Sequence, residues 1–333
     1  MMNIIPQATP KLAWQQSLSQ AFTRPQQLLS YLDLPLELAS KDASRDFPFR
    51  VTRSYAARML PKDPDDPLLR QVLPLDEEMR PMPGFSTDPV GDLQAQVTPG
   101  LLHKYQGRVL LLVTGACAIH CRYCFRRHFS YGDSQLTSNR QTRALAYIAA
   151  DTTIQEVILS GGDPLILTDD KLRVLISKLA GITHVRRFRI HTRLPVVLPN
   201  RVDDSLLATL TSTRVQPVIV IHANHANEIN DEVSHAIALL KQRGITVFNQ
   251  SVLLRGVNDT VQDQMDLQEN LFAAGALPYY LHLLDPTVGT AHFNVPESTA
   301  LAIYDQMRRQ LPGYLVPKLV REQPKKPYKT LIK

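Results

Sequence analysis

The chain has few cysteines and no long hydrophobic stretch. Only three of its 333 residues are cysteine, an odd number that fits unpaired thiols in a reducing compartment. No segment approaches the roughly 18 apolar residues that a membrane-spanning helix needs. Residues 1–7 lack the basic region and apolar stretch of a secretion signal. We therefore expect a cytoplasmic protein with no membrane partner.

The chain also lacks a basic face of the kind that binds nucleic acid. Its formal net charge is +6 at pH 7, but the excess is concentrated at the C-terminus. Residues 314–333 contain a single acid, Glu322, and the rest of the chain is close to neutral. We therefore expect no nucleic-acid partner, because RNA binding would depend on this short tail alone. The basic residues of the tail are Lys318, Arg321, Lys325, Lys326, Lys329 and Lys333.

The sequence contains no internal repeats or low-complexity segments. Its composition divides it into two parts. Residues 1–100 are irregular and rich in proline, with a helix predicted over residues 11–34, interrupted at Pro25, and a loop-rich stretch over residues 61–99. From residue 108 onward, short apolar runs alternate with helical segments, which is typical of a parallel sheet covered by helices. The predicted strands are residues 109–114, 156–160, 187–192, 217–222, 246–254, 279–284 and 314–320.

Six or seven such units predict an α/β fold, a partial barrel of (β/α)6 type. We expect the barrel over residues 101–333, preceded by a mainly helical N-terminal extension over residues 1–100. In α/β barrels the catalytic groups gather in the loops that follow the carboxyl ends of the strands. The three cysteines follow the first predicted strand, so we expect this loop to be part of the functional site.

The cysteines Cys117, Cys121 and Cys124 have the spacing C-x3-C-x2-C. Three thiolates at this spacing can hold three irons of a [4Fe–4S] cluster and leave the fourth iron open. Two other interpretations compete with this one. The residues can be three small buried thiols that happen to be neighbours, or a zinc site completed by His120 or His128.

A second candidate motif, Gly161, Gly162 and Asp163, directly follows the second predicted strand. Glycine lets the backbone approach a ligand closely and expose its N–H and C=O groups. The same run also occurs in ordinary turns between a strand and a helix. Its position one strand after the cysteine loop favours a role in ligand binding.

The cysteine spacing and the Gly-Gly-Asp run together resemble the radical S-adenosylmethionine (SAM) superfamily. Further motifs narrow the resemblance to the lysine 2,3-aminomutase family over roughly residues 80–333. Within that family the chain is most similar to the short branch, which supplies β-lysine for modification of elongation factor P. The motifs lie in residues 103–108, 121–128, 193–199, 222–225, 249–259 and 285–289.

The resemblance implies three cofactors: a [4Fe–4S] cluster on the three cysteines, SAM, and pyridoxal 5′-phosphate (PLP). It assigns contacts with SAM to Gly161, Gly162, Asp163, His222 and Gln250.

For PLP, the resemblance implies attachment to the amine of Lys329, which makes this lysine the catalytic residue. The glycines of the family pattern are absent around it, and Leu331 stands where proline is expected. Lys325 and Lys326 therefore remain alternatives, and all three can also belong to a solvated basic tail. Further PLP-binding positions implied by the resemblance are Lys104, Tyr105, Arg108 and Tyr279.

For the substrate, the resemblance implies that Arg126 pairs with an amino-acid carboxylate. Asp285 and Glu322 match two acids that bind the distal ammonium of lysine. Plainer roles for these acids are a strand-end cap for Asp285 and an ion pair with Arg321 for Glu322.

The resemblance thus implies an isomerase that converts free L-lysine to (R)-β-lysine by a radical 1,2-amino shift. It implies an electron donor and a functional link to elongation factor P and its β-lysine ligase. The alternatives are a catabolic lysine 2,3-aminomutase, which is usually longer at the C-terminus, and an iron–sulfur sensor or RNA-modification factor. The sequence does not determine the oligomeric state and is compatible with a homo-oligomer.

Overall fold

The computed structural model describes residues 12–130 and 137–333, and its centre is one ten-stranded sheet. The strands are β1 (Gln96–Thr98), β2 (Leu101–Tyr105), β3 (Arg108–Thr114), β4 (Glu156–Gly161), β5 (Arg187–Thr192), β6 (Gln216–Ile221), β7 (Thr246–Val252), β8 (Leu277–His282), β9 (Lys318–Arg321) and β10 (Thr330–Leu331). They lie side by side in chain order. Strands β3 to β9 are parallel to one another, and β1, β2 and β10 add antiparallel edges.

Helices precede the sheet and cover it. Within the described residues the α-helices are α1 (Ala13–Ser19), α2 (Pro25–Tyr31), α3 (Lys41–Asp46), α4 (Arg53–Ala56), α5 (Pro67–Arg70), α6 (Ser138–Ala150), α7 (Asp169–Ala180), α8 (Leu194–Val197), α9 (Asp204–Leu210), α10 (Asp231–Gln242), α11 (Val261–Ala274) and α12 (Glu297–Gln310). Helices α6, α7, α9, α10, α11 and α12 each lie in one connection between successive parallel strands, which confirms the predicted (β/α)6 alternation. No helix among the described residues has the length and apolar character needed to cross a membrane.

The first six predicted strands agree with β3 to β8 to within two residues at each end. The last prediction, residues 314–320, is wrong in its first half. Residues Gly313–Leu315 form a 3-10 turn, and β9 begins only at Lys318. Pro317 explains the late start, because proline has no N–H to donate to the sheet.

The N-terminal extension packs directly on the barrel. The predicted interruption at Pro25 is confirmed, since Pro25 is the first residue of α2, a position where its missing N–H costs nothing. Residue 11, where that predicted helix begins, lies outside the described residues. Trp14, Tyr55 and Leu69 of the extension belong to the same buried hydrophobic cluster as barrel residues such as Leu159. The boundary near residue 100 remains a prediction.

The parallel register brings the loops after the strands to one edge of the sheet. Thr114 at the end of β3 pairs with Gly161 at the end of β4, and Thr192 at the end of β5 pairs with Ile221 at the end of β6. Most residues of β3 and β4 are buried, which accounts for their nearly continuous apolar sequences. The cysteine loop and the Gly-Gly-Asp turn therefore become neighbours.

Candidate active site

A cavity of about 460 Å³ lies inside the barrel and reaches the loops at the carboxyl ends of the strands. Every site residue predicted from the sequence lines this cavity. These residues are Cys117, Cys121, Cys124, Lys104, Tyr105, Arg108, Arg126, Gly161, Gly162, Asp163, His222, Gln250, Tyr279, Asp285, Glu322 and Lys329.

The N-terminal extension holds the backbone of the cysteine loop. Arg50 donates from its guanidinium to the carbonyl oxygen of Cys117 at 3.1 Å. The backbone N–H of His120 donates to the carbonyl oxygen of Arg50, and that of Arg122 donates to the carbonyl oxygen of Gln71, each at 2.9 Å. The loop therefore has a fixed path, along which all three cysteines line the cavity.

The three cysteines are half-buried and close enough for their charges to interact. Burial raises the pKa of Cys117 well above its ordinary value, and Cys124, Asp163 and Cys121 raise it further. Burial and the neighbouring Cys121 raise the pKa of Cys124 to about 11. Both groups thus keep their protons unless a metal replaces them.

The donor chemistry of the loop fits a [4Fe–4S] cluster better than one zinc ion. A cluster offers a separate iron to each of three thiolates. Across residues 12–130 and 137–333, no three His, Cys, Asp or Glu side chains meet at the spacing of ligands to a single ion. His128, one candidate fourth ligand of zinc, has its Nε2 3.0 Å from the carbonyl oxygen of Val288.

The glycines of the Gly-Gly-Asp turn allow it to press against the start of the cysteine loop. A Cβ on Gly161 or Gly162 would lie closer than 3.0 Å to the carbonyl oxygen of Thr114 or Ala116, respectively. Gly161 also has φ +121, which other residues rarely adopt. The N–H of Gly162 donates to the carbonyl oxygen of Thr114 at 2.7 Å. Glycine is therefore required at both positions by the close contact of the two backbones.

The carboxylate of Asp163 ties the ends of β4 and β5 together. It accepts hydrogen bonds from the Thr192 hydroxyl and the Arg193 N–H, both at 2.7 Å, and from the Leu165 N–H at 3.1 Å. Burial raises the pKa of Asp163 to about 6, although these donors oppose the shift. Its side chain thus positions the turn.

Lys329 enters the cavity, whereas the two alternative lysines do not. Its Nζ donates to Glu322 Oε2 and lies 5.8 Å from the centre of the Tyr280 ring. Lys325 and Lys326 are exposed and lie outside the cavity lining.

A chain of alternating charges links Lys329 to Arg126. Lys104 Nζ lies 3.0 Å from Glu322 Oε1 and 2.6 Å from Asp92 Oδ1. Asp92 Oδ2 in turn accepts a hydrogen bond from Arg126 Nε at 2.7 Å. Burial alone would raise the pKa of Glu322, but the ammonium groups of Lys329 and Lys104 hold it well below its usual range. Lys329, Glu322, Lys104 and Arg126 are therefore connected. Asp92 joins Lys104 to Arg126.

Asp285 is the buried acid of the cavity that lacks a donor. Its Oδ1 has no hydrogen-bond partner among the described residues. Burial raises the pKa of Asp285 to about 7, with Lys329 lowering it and Glu322 raising it. A buried acceptor without a partner is costly, so this oxygen suits a cationic ligand. The plainer pairing of Glu322 with Arg321 is wrong, because Arg321 pairs with Glu297 at 2.7 Å.

A second group of cations and aromatic rings lines the part of the cavity near the start of β3. The guanidinium of Arg108 lies 4.6 Å from the centre of the Tyr105 ring. Arg189 donates to the Tyr279 hydroxyl at 3.1 Å. Guanidinium and hydroxyl groups of this kind suit a phosphate.

His222 and Gln250 present polar groups to the same cavity. His222 Nε2 lies 3.3 Å from Nδ1 of His191, and burial lowers the pKa of His222 to about 4, so the ring is neutral at neutral pH. Gln250 Oε1 is buried without a hydrogen-bond partner in the part of the chain that the structure describes. These atoms suit a polar ligand.

Sequence reasoning gave no role to several residues that line the cavity. Asp92 lies in the loop-rich stretch, where no local pattern distinguishes it. Arg193 begins one of the recognised motifs, but no local pattern indicates which residues its guanidinium contacts. Further residues of the lining without a predicted role include Arg189, Tyr280 and His282.

Comparison with known proteins identifies the family of the chain. The radical SAM superfamily model matches residues 111–267. The chain is 46% identical to the L-lysine 2,3-aminomutase of Escherichia coli strain K12 over 99% of this chain and 97% of that protein. It is 44% identical to the L-lysine 2,3-aminomutase of Haemophilus influenzae over 99% of both chains.

More distant relatives match a smaller part of the chain. The L-lysine 2,3-aminomutase of Clostridium subterminale is 38% identical over 82% of this chain and 66% of that protein. A solved radical SAM methyltransferase from Sphaerobacter thermophilus, 19% identical, aligns with a TM-score of 0.45 over 66% of this chain and 68% of that chain. The two nearly full-length relatives and the superfamily match are decisive: the chain belongs to the lysine 2,3-aminomutase family of radical SAM proteins.

Proposed function

We propose that this protein is an isomerase that converts L-lysine to β-lysine by moving the amino group from C2 to C3. The observation that carries the proposal is the single cavity. It contains three thiols at one end and, facing the same space, a lysine, an arginine and two acids. L-lysine 2,3-aminomutase is also the activity named for the relatives that match nearly end to end.

The residues at the cysteine end fit the two groups that begin radical chemistry in this family, a [4Fe–4S] cluster and SAM. Cys117, Cys121 and Cys124 would hold the cluster, because three thiolates of one loop can each bind one iron. The glycine turn, His222 and Gln250 would hold SAM. The partnerless Oε1 of Gln250 supports this assignment.

The residues around Lys329 fit PLP, the third cofactor of the family. Lys329 would provide the amine, and Lys104, Tyr105, Arg108 and Tyr279 would surround the phosphate and ring. When bound, the cluster is a one-electron donor, SAM is a source of a carbon-centred radical, and PLP is an electrophile for amines. The chain contributes binding, orientation and exclusion of water from a buried cavity.

Substrate selection follows from the charges. A distal ammonium would be bound between Asp285 and Glu322, and the substrate carboxylate would pair with Arg126. With the Lys329 amine attached to PLP, Glu322 would keep Lys104 as its cationic partner through Oε1. Its Oε2, which now faces Lys329, would then be available to the substrate ammonium. Two acids at one end favour lysine over glutamate, whose side chain is anionic.

The test is anaerobic turnover of isotopically labelled L-lysine by protein reconstituted with iron, sulfide and PLP, with SAM and dithionite added. We expect labelled β-lysine as the product. Replacing any one of the three cysteines by alanine should remove the cluster and all turnover. Protein that carries the cluster and PLP but leaves lysine unchanged would refute the proposal.

A finer proposal concerns the product and its use. We propose that the product is (R)-β-lysine and that a partner ligase attaches it to elongation factor P. The support is the greater similarity: the chain is 46% identical to the Escherichia coli relative over 97% of that protein, and 38% identical to the Clostridium relative over 66% of that protein.

Chiral chromatography of the product tests the configuration, and intact-protein mass tests the use. Deleting the gene should leave elongation factor P unmodified or carrying α-lysine, and added β-lysine should restore the modification. An unchanged mass together with loss of growth on lysine as nitrogen source would favour the catabolic alternative.

A further inference from the structure

We propose that Arg193 is a positioning residue for the iron–sulfur cluster, and that its hydrogen bond to Cys121 raises the reduction potential of the cluster. The inference rests on the proposed function in one respect, that the three cysteines hold the cluster.

The contact is direct. One terminal nitrogen of the Arg193 guanidinium lies 2.7 Å from Sγ of Cys121. Arg193 follows β5 and is only 5% exposed, so no bulk water competes for the sulfur on this side. A thiolate bound to iron keeps lone pairs that can accept such a hydrogen bond. Hydrogen bonds to the sulfurs are one of the means by which proteins set cluster potentials.

Three buried side chains fix the orientation of the guanidinium. The other terminal nitrogen of Arg193 donates to Gln71 Oε1 at 2.6 Å, to Glu228 Oε2 at 2.8 Å and to the Tyr55 hydroxyl at 3.2 Å. Gln71, Glu228 and Tyr55 are all 0% exposed. The planar fork of arginine explains the choice of residue, because it serves Cys121 and this group of acceptors at the same time.

The N-terminal extension takes part in this arrangement. Tyr55 and Gln71 come from the segment that precedes the sheet, whereas Arg193 and Glu228 come from loops of the barrel. Gln71 Oε1 also accepts a hydrogen bond from the Asn224 amide at 3.0 Å. The extension therefore supports the cluster environment through side chains as well as through the backbone of the cysteine loop.

The direction of the effect follows from charge. Reduction by dithionite adds one electron, which takes the cluster from [4Fe–4S]2+ to [4Fe–4S]+ and makes its sulfurs more negative. A cationic donor at Cys121 stabilises the reduced form more than the oxidised form. Loss of Arg193 should therefore make the potential more negative.

The experiment is a redox titration of reconstituted protein, followed by electron paramagnetic resonance of the reduced cluster, with iron content measured alongside. In Arg193→Gln the reduced-to-oxidised ratio at the parent's midpoint should fall about tenfold or more, a shift of about 59 mV for a one-electron couple. Arg193→Lys keeps the positive charge but not the planar pair of donors. Its midpoint potential should lie between those of the parent and Arg193→Gln.

The matched control is Arg58→Gln. Arg58 is close to the same residues, since its guanidinium lies 5.3 Å from the centre of the Tyr55 ring and donates to the carbonyl oxygens of Glu228 and Val196. This variant should keep the parent potential.

Each outcome supports or overturns the role of Arg193. Full iron loading with an unchanged potential in Arg193→Gln overturns the inference, and so does an equal shift in Arg58→Gln. If Arg193→Gln takes up no iron, Arg193→Lys and Tyr55→Phe decide instead: a more negative potential supports the inference and the parent potential overturns it. A parent protein that takes up no cluster refutes the cluster assignment itself, and the inference falls with it.

Discussion

At the scale of single residues, burial changes what the acids of the cavity can do. Asp285 and Glu322 line the same cavity, yet their pKa values move in opposite directions. Burial dominates at Asp285, whose Oδ1 has no hydrogen-bond partner among the described residues. At Glu322 the ammonium groups of Lys329 and Lys104 outweigh burial. Of these two acids, Asp285 is therefore the one that titrates near neutral pH.

Lysine binding should depend on pH through Asp285. Its folded pKa of about 7 means that it is increasingly protonated below that pH, and a protonated carboxyl binds an ammonium poorly. The KM for lysine should therefore rise as pH falls through 7. Asp285→Asn should raise the KM about tenfold or more above pH 7, the loss of a charge-assisted hydrogen bond of roughly 1.5–3 kcal/mol, and should flatten the pH dependence.

The same shift predicts a change in stability. A raised carboxyl pKa stabilises the fold fully only below the ordinary value of 3.8, and that stabilisation is lost as pH rises toward 7. Asp285→Asn should therefore reduce the decline in unfolding free energy across this range. Asp305→Asn, on the exposed face of α12, should leave both the KM and this decline as in the parent protein. A pH profile in Asp285→Asn identical to that of the parent would contradict the assignment.

Lys329 should be the attachment point of PLP. Borohydride reduction followed by peptide mass analysis should find PLP on Lys329 in the parent and nowhere in Lys329→Ala. The bond needs a lysine amine, and Lys104, the other lysine of the cavity lining, is paired with both Asp92 and Glu322. The matched control is Lys326→Ala, which removes an exposed lysine of the same tail and should retain the label. Label on Lys325 or Lys326 would show that the register inferred from the sequence is wrong.

At the scale of elements, local pattern predicted most of the barrel. The strands β3, β4 and β6 contain nearly continuous apolar runs, because helices cover one face and the barrel interior the other. In β5 and β7 the apolar residues are interrupted by polar ones such as Arg189 and Gln250, which line the cavity. The short edge strands β1, β2 and β10 were not predicted, since they have two to five residues and no strong apolar pattern. Their pairing depends on the neighbouring strand and cannot be found in a local stretch of sequence.

The turn after β4 should not tolerate a side chain. In Gly162→Ala the new Cβ meets backbone atoms of Gly115 and Ala116, which cannot rotate away as a side chain can. We expect a loss of about 1–3 kcal/mol in unfolding free energy, as for other overpacked sites, together with weaker iron loading. Gly313→Ala is the control, because its Cβ would meet nothing within 4 Å. Thermal unfolding and iron analysis of both variants check this, and equal behaviour would argue against a tight turn.

At the scale of the whole molecule, a buried ion pair joins the extension to the cysteine loop. Arg122, between two of the cysteines, donates from Nε to Glu78 Oε1 at 2.8 Å, and both side chains are 0% exposed. Arg127 also lies 2.9 Å from Glu78. Two arginines of the loop therefore depend on one acid of the extension.

Glu78→Gln should destabilise the protein by about 3 kcal/mol or more, because it leaves the buried Arg122 guanidinium without its counter-charge. Urea unfolding of the cluster-free protein measures this. Asp42→Asn removes an exposed pair with Arg45, in which the side chains are 71% and 81% exposed, and should cost less than about 1 kcal/mol. Equal midpoints for the two variants would mean that the buried pair does not hold the extension in place.

The sequence by itself determined the fold class, the cysteine loop and the Gly-Gly-Asp turn, because apolar periodicity, thiol spacing and glycine geometry are local properties of the chain. Only the tertiary structure decided which lysine enters the cavity, which acid lacks a partner, and that Arg193 reaches Cys121. These contacts join distant positions: Lys104 and Glu322 are 218 residues apart, and Arg193 and Cys121 are 72 apart. Such pairs arise when closure of the barrel and packing of the extension bring separate loops together, and no local pattern specifies them.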